Sequence, residues 1–247
     1  MITRHHVALA LMCAFILCSP LWFTAPVLVS AILFGTLIGV LLPDIQMTRP
    51  KHAGIRIFAW LVARFSRRIL TRGLCRVYSR FGYLKLDTSD KRLTHSIPGT
   101  AGIIVMVAVP LTLVGYLAGS PGLLNAILMF LGGVLLGLLL HLVEDLCTLK
   151  GISPFFPFSK SKIAGTIRPC NKSDPRITWF HGQHFLMAAI IFFIAIMHPL
   201  KPGLLFAVSV VAFLLCLGMM IHSSHPALPH PEKTPNVPGI PAPAGNS

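Results

Sequence analysis

Acid is nearly absent from this chain: only seven of its 247 residues are Asp or Glu, and all charged residues together make up 11 % against 54 % hydrophobic. That balance excludes an ordinary soluble domain. The six cysteines, at 13, 18, 75, 147, 170 and 216, form no CxxC pair, so neither a disulfide framework nor a zinc knuckle is indicated. There is no internal repeat and no GxSxG nucleophile elbow.

What is present is a series of apolar stretches of about the length that crosses a bilayer, roughly 17 to 25 residues. Six are counted, at 7–23, 26–42, 97–118, 123–143, 184–198 and 203–221. They predict an all-α membrane protein: a bundle of about six transmembrane helices within an integral membrane domain over 1–223. The first stretch follows Arg4 as a secretory signal would, but the bulky Leu17 before Cys18 argues against a lipoprotein signal, and the segment is read as a retained span. With these spans, twenty of the twenty-one Lys and Arg residues fall on one side, Lys201 being the exception. Cytoplasmic flanks hold such an excess, which predicts a multi-pass inner-membrane protein with both termini cytoplasmic. The net charge of +14 then matches a bilayer with anionic headgroups and calls for no nucleic acid.

Between the second and third spans runs a basic segment, 53–84, in which Arg64, Arg68, Arg72, Arg76 and Arg80 recur every four residues among Phe58, Leu61, Phe65, Ile69, Leu74 and Tyr78. Four-residue spacing puts the arginines on one side of a helix, and such a helix lies in the headgroup layer, with Gly73 as a point of interruption. The second basic loop, "TLKGISPFFPFSKSKIAGTIRPCNKSDPRI", reads as an irregular lid or hairpin in which Phe155, Phe156 and Phe158 are candidates for dipping into the interface. Residues 224–247 are Pro-rich and predict a disordered tail.

The chemistry gathers at helix ends. In "HLVEDLCTLKG", His141 and Asp145 are four apart and share a helix face, with Glu144 displaced by one residue. Ionisable groups near membrane depth are a functional hypothesis by default. The same membrane level receives His5 and His6 before the first span, Asp44 after the second, and Asp90 and His95 before the third. Histidine nitrogen mixed with carboxylate oxygen suits a divalent cation, zinc or manganese ahead of magnesium, which prefers oxygen alone. His181 and His184 in "WFHGQHF" are further candidates, and an interfacial Trp-His belt explains them equally well. Cys147, though near, is read as a buried, inert thiol.

The order "HH", "LLPDI", "LTHSIPG" and "HLVEDLCTLKGISPFFPFS" resembles the YdjM/YbcI-like family of inner-membrane proteins, classed as membrane-bound metal-dependent hydrolases. The resemblance covers roughly residues 1–165 and carries over His6, Asp44, His95, His141 and Asp145, together with Thr94, Ser96, Thr148, Gly151 and Pro157. It departs where the family has an acid and a histidine and this chain has Gln46 and Met47, and where a family histidine is replaced by Asp90, still a competent ligand. The expected ligand set is therefore His6, Asp44, Asp90, His95, His141 and Asp145. Asp44 or Glu144 is expected as the catalytic base.

Three functions compete. The first is a metal-dependent hydrolase at the cytoplasmic membrane face, acting on a lipid or lipid-linked phosphate. The second is a non-catalytic membrane protein with a structural or vestigial metal site, favoured by Gln46 and Met47. The third is a transporter, which ranks last because the polar residues cluster at one membrane face and not at the midplane.

Overall fold

Proline and serine set where the helices begin. Proline supplies the first or second residue of four of the helices, where its missing N–H is no loss. Ser96 Oγ accepts the Gly99 amide at 3.1 Å and Ser120 Oγ the Leu123 amide at 3.4 Å. The computed structural model describes residues 3–44, 69–80, 87, 90–171, 174–197 and 200–225. Among them are α1 (Thr3–Leu17), α2 (Pro26–Leu41), α3 (Thr71–Arg80), α4 (Ile97–Leu117), α5 (Pro121–Leu146), α6 (Arg176–Met197) and α7 (Pro202–Ser224).

The expectation of six spans is corrected to four. Helices α4 to α7, of 21, 26, 22 and 23 residues, are long and apolar enough to cross a membrane. The first two stretches do form apolar helices, but of 15 and 16 residues. At 1.5 Å per residue these reach only about 22–24 Å, against a hydrocarbon core of about 30 Å. The chain leaves α1 at Leu17 and turns through a short 3-10 segment, Ser19–Leu21, that contains Pro20. This turn is tied down by the Ser19 hydroxyl, 2.5 Å from that of Ser209 on α7. The fifth stretch, expected to be the shortest, begins at Arg176 and so takes in His181 and His184.

Of the two short helices, α1 is the more interior. On α1, Leu9, Ala10, Cys13, Ala14 and Ile16 are all buried, whereas α4 shows Val105, Val109, Leu113 and Tyr116 to its surroundings. Helix α2 lies against α5 through glycines four apart on each: Gly35 and Gly39 facing Gly133 and Gly137. A Cβ at Gly39 would sit 2.1 Å from the Val134 carbonyl oxygen, and one at Gly137 would sit 2.3 Å from that of Thr36. Small residues at this spacing let two membrane helices approach backbone to backbone. The contact sets the end of α2 beside the last turns of α5.

Only the part of the basic segment over 69–80 falls within the described residues. Over α3 the pattern is amphipathic: Arg72, Arg76 and Arg80 are exposed while Thr71, Leu74 and Tyr78 are buried. Part of the apolar side packs inward, while Ile69 and Val77 are exposed. Leu70, Leu74 and Tyr78 join Leu42, Leu93, Ile103, Val134, Leu138 and Phe156 in one core cluster. Gly73 does not interrupt the helix, and a Cβ there would meet the Met106 sulfur at 2.8 Å. The tail from 226 onward lies outside the described residues.

The loop after α5 is an irregular hairpin, with Ile152 and Ile163 exchanging backbone hydrogen bonds at 3.0 and 2.9 Å. Phe155 and Phe158 are exposed, but Phe156 is buried and lies under the Arg92 guanidinium, 4.7 Å from the ring centre. Arg176 locks the hairpin to the bundle. It pairs with Asp174 at 2.6 Å, donates to the Thr166 hydroxyl at 2.8 Å and to its carbonyl at 2.9 Å, and reaches the Ser223 carbonyl at the end of α7.

Candidate metal centre

Four segments deliver side chains to one end of the bundle: the first turn of α1 brings His6, the turn after α2 Asp44, the turn before α4 His95, and the last turns of α5 His141 and Asp145. The close α2–α5 contact brings His141 Nδ1–H to the Val40 carbonyl at 2.9 Å. Thr94 Oγ1–H donates to the Pro43 carbonyl at 3.4 Å, which ties the turn before α4 to the one carrying Asp44.

The three imidazoles are oriented alike. His95 Nδ1–H donates to the Lys91 carbonyl at 3.0 Å, and His6 Nδ1–H to Glu144 Oε2 at 2.7 Å. A carbonyl only accepts, so in His95 and His141 Nδ1 carries a proton and Nε2 is the nitrogen turned to the cluster, the arrangement metal-binding histidines use. The rings of His6 and His141 stack at 4.2 Å, and His95 meets His141 edge-on at 5.2 Å.

All three Nε2 atoms point at the same two carboxylates. His6 Nε2 is 3.4 Å from Asp145 Oδ1, and Asp145 Oδ2 is 3.5 Å from His141 Nε2 and 3.8 Å from His95 Nε2. Asp44 Oδ1 is 3.5 Å from His95 Nε2 and 4.0 Å from His141 Nε2. Two ligands about 2.1 Å from one ion at a tetrahedral angle stand about 3.4 Å apart, so neighbouring donors at this spacing can share an ion. His6, Asp44 and His141 form one group able to hold a metal, and His95, His141 and Asp145 another, with His141 in both. His6 and His141 are fully buried, and their Nε2 atoms make no hydrogen bond among the described residues. An unpaired polar atom in that position is costly, and a cation would satisfy it.

Burial by itself would raise the Asp44 carboxyl, but the hydrogen bond from His95 and the charges of His141 and His6 outweigh it and hold the group down at about 2. The acid side is also the open side: Asp44 and Asp145 side chains keep 16 % and 14 % exposure, against 0 % for that of His141.

Asp90, expected among the ligands, is in neither group. Its carboxylate caps the 3-10 turn Lys91–Leu93 by accepting the Arg92 amide, and it also grips the Arg92 guanidinium at 2.8 Å. Glu144, expected as a base, is buried behind His6 on the Nδ1 side. His181 and His184 are likewise in neither group: His181 Nε2 lies 3.0 Å from His5 Nδ1, and His184 Nδ1–H donates to the Phe180 carbonyl. Cys147 is buried, and burial pushes its thiol up to about 11. Sequence reading missed the glycine pairs that align α2 with α5, although "GTLIG" and "GVLLG" carry their spacing in plain view.

Fold and site together define a multi-pass helical membrane protein with a buried histidine and aspartate cluster capable of chelating a metal. The chain belongs to the YdjM inner membrane protein family, whose family model matches residues 1–225, well beyond the 1–165 over which its motifs are legible. No curated protein and no solved structure matches it.

Proposed function

We propose that the protein is a metal-dependent hydrolase working at the cytoplasmic membrane face on a lipid-borne or other phosphate-bearing ester. The observation that carries this reading is the pair of buried Nε2 atoms of His6 and His141, without hydrogen bonds and facing the two partly exposed carboxylates. Three nitrogens with carboxylate oxygens suit zinc or manganese. Bound there, a divalent ion supplies Lewis acidity and a water acidified towards neutrality.

The chain's own residues set the stage for that chemistry. Val40 and Lys91 carbonyls fix the tautomers of His141 and His95, and Glu144 does the same for His6, which makes it a positioning residue. A carboxyl held at about 2 keeps little affinity for a proton near neutrality, so Asp44 belongs with the ligands and not with the general bases. The 14–16 % exposure of the two carboxylates gives substrate its approach.

A second reading, a non-catalytic protein with a structural or vestigial metal site, draws on Gln46 and Met47, which lie outside the described residues. Elemental analysis of the purified protein tests the first reading: about one equivalent of zinc or manganese is expected, and its loss in His141→Ala. Absence of metal would remove the chemistry. Metal without phosphate release from phosphatidate or p-nitrophenyl phosphate would leave the second reading standing.

A further inference from the structure

The motifs "HH" and "WFHGQHF" meet outside the centre. His5, on the first turn of α1, and His181, early in α6, are 176 positions apart in sequence, and His5 Nδ1 lies 3.0 Å from His181 Nε2. The ring centres are 5.2 Å apart and the planes tilt by 48°. His6, the next residue, turns to the centre instead, where its Nδ1 meets Glu144. Consecutive residues of a helix diverge by about 100°, so the first turn of α1 gives one imidazole to each place.

Burial separates the two places. His6 is fully buried, whereas His5 and His181 are partly exposed. His184, one turn beyond His181, is buried, and its Nδ1–H is engaged by the Phe180 carbonyl of its own helix at 2.7 Å. The accessible group is therefore a pair of nitrogens, one from α1 and one from α6.

A neutral imidazole carries one proton and one lone pair, so the contact uses the proton of one ring and the lone pair of the other. Moving that proton to the far nitrogen of the same ring changes the tautomer and not the charge. Both facing nitrogens then present lone pairs. Nitrogens about 2.0–2.1 Å from one ion stand about 2.9 Å apart at a right angle and about 3.4 Å apart at a tetrahedral one, and the 3.0 Å of this pair lies between. Imidazole donors suit zinc, copper or nickel, whereas magnesium prefers oxygen.

We propose that His5 and His181 form a second metal site, a two-histidine bridge between α1 and α6 that takes zinc or a cation of similar preference, with water completing the shell. The pair shares no ligand with the centre, so it stands independently of the hydrolase reading. An ion there replaces one hydrogen bond by two coordinate bonds and fixes α1 to α6 one residue before His6.

The test titrates zinc into full-length protein in nanodiscs and counts bound equivalents against free zinc. The wild type should take up an equivalent weaker than that of the centre. His5→Gln and His181→Gln should each weaken it by more than the about 10–100-fold that loss of an outer-shell partner costs. His141→Ala should lose the tight equivalent and keep the weaker one, so an empty centre and an empty bridge are told apart. A second measurement needs no variant: diethyl pyrocarbonate, which acylates neutral imidazole, should modify His5 and His181 more slowly once zinc is added, and magnesium should give no protection. Equal zinc uptake in the wild type and both Gln variants, loss of the weaker equivalent in one variant alone, or modification rates unchanged by zinc would each overturn the bridge.

Discussion

His6 and His141, 135 residues apart in sequence, stack ring on ring at 4.2 Å and 19° from parallel, each with a buried Nε2 and an occupied Nδ1. Neither ring has a reason to be there alone. Each Nδ1 partner, Glu144 for one and the Val40 carbonyl for the other, turns its ring so that Nε2 faces Asp145.

The Glu144 contact predicts a graded effect. Glu144→Gln should weaken metal binding about 10- to 100-fold without abolishing it, as loss of an orienting partner does. Asp90→Asn, whose carboxylate grips Arg92 and is in neither ligand group, should leave metal content at the wild-type level. Competition with a chromogenic chelator measures both; equal loss in the two variants would contradict the division of roles.

The glycine contact predicts that alignment of α2 and α5 governs the site from a distance. Gly137→Ala places a methyl group against the Thr36 carbonyl and should destabilise the protein by about 1–3 kcal/mol, as overpacking does, and lower metal content as well. Gly132→Ala, on the open side of the same helix with nothing within 4 Å, should do neither. Thermal unfolding in detergent together with elemental analysis checks the pair.

Asp174 predicts an acid limit to stability. The hydrogen bond from Arg176 lowers its carboxyl from 3.8 to about 2. A depressed folded-state value means that the contribution is complete above the unfolded value and fades as pH falls through the folded one. Thermal midpoints should therefore drop between about pH 4 and pH 2. Asp174→Asn should flatten that part of the profile and loosen the hairpin at Thr166.

Four long helices, an even number, and a short α1–α2 pair joined by a turn predict a chain that ends on the side on which it began. Reporter fusions after Arg80 and after Ser224 should both read cytoplasmic, and a fusion at Gly119 periplasmic. A periplasmic signal at Arg80 would separate the basic segment from the anionic leaflet to which its charge is matched.

Much of this was legible in the chain itself. Apolar runs without charge specify helices in lipid whatever their neighbours, since no water is there to satisfy an exposed backbone, and α4 starts at Ile97 and α2 at Pro26 where those runs begin. The i,i+4 spacing of His141 and Asp145 placed both on one face for the same local reason. Length in the membrane was not local: α1 ends at Leu17 because its partners pack there and Pro20 turns the chain, not because its hydrophobicity runs out. Nor was the choice among polar residues. Asp44 and Asp90 are the same chemical group beside similar helix ends, and only packing, through Gly39 on Val134 and Thr94 on Pro43, brings one to the histidines while the other stays with Arg92. Residue type and spacing decide which face of a helix a side chain occupies; which faces meet, and so which donors share an ion, depends on backbone contact between helices far apart in sequence.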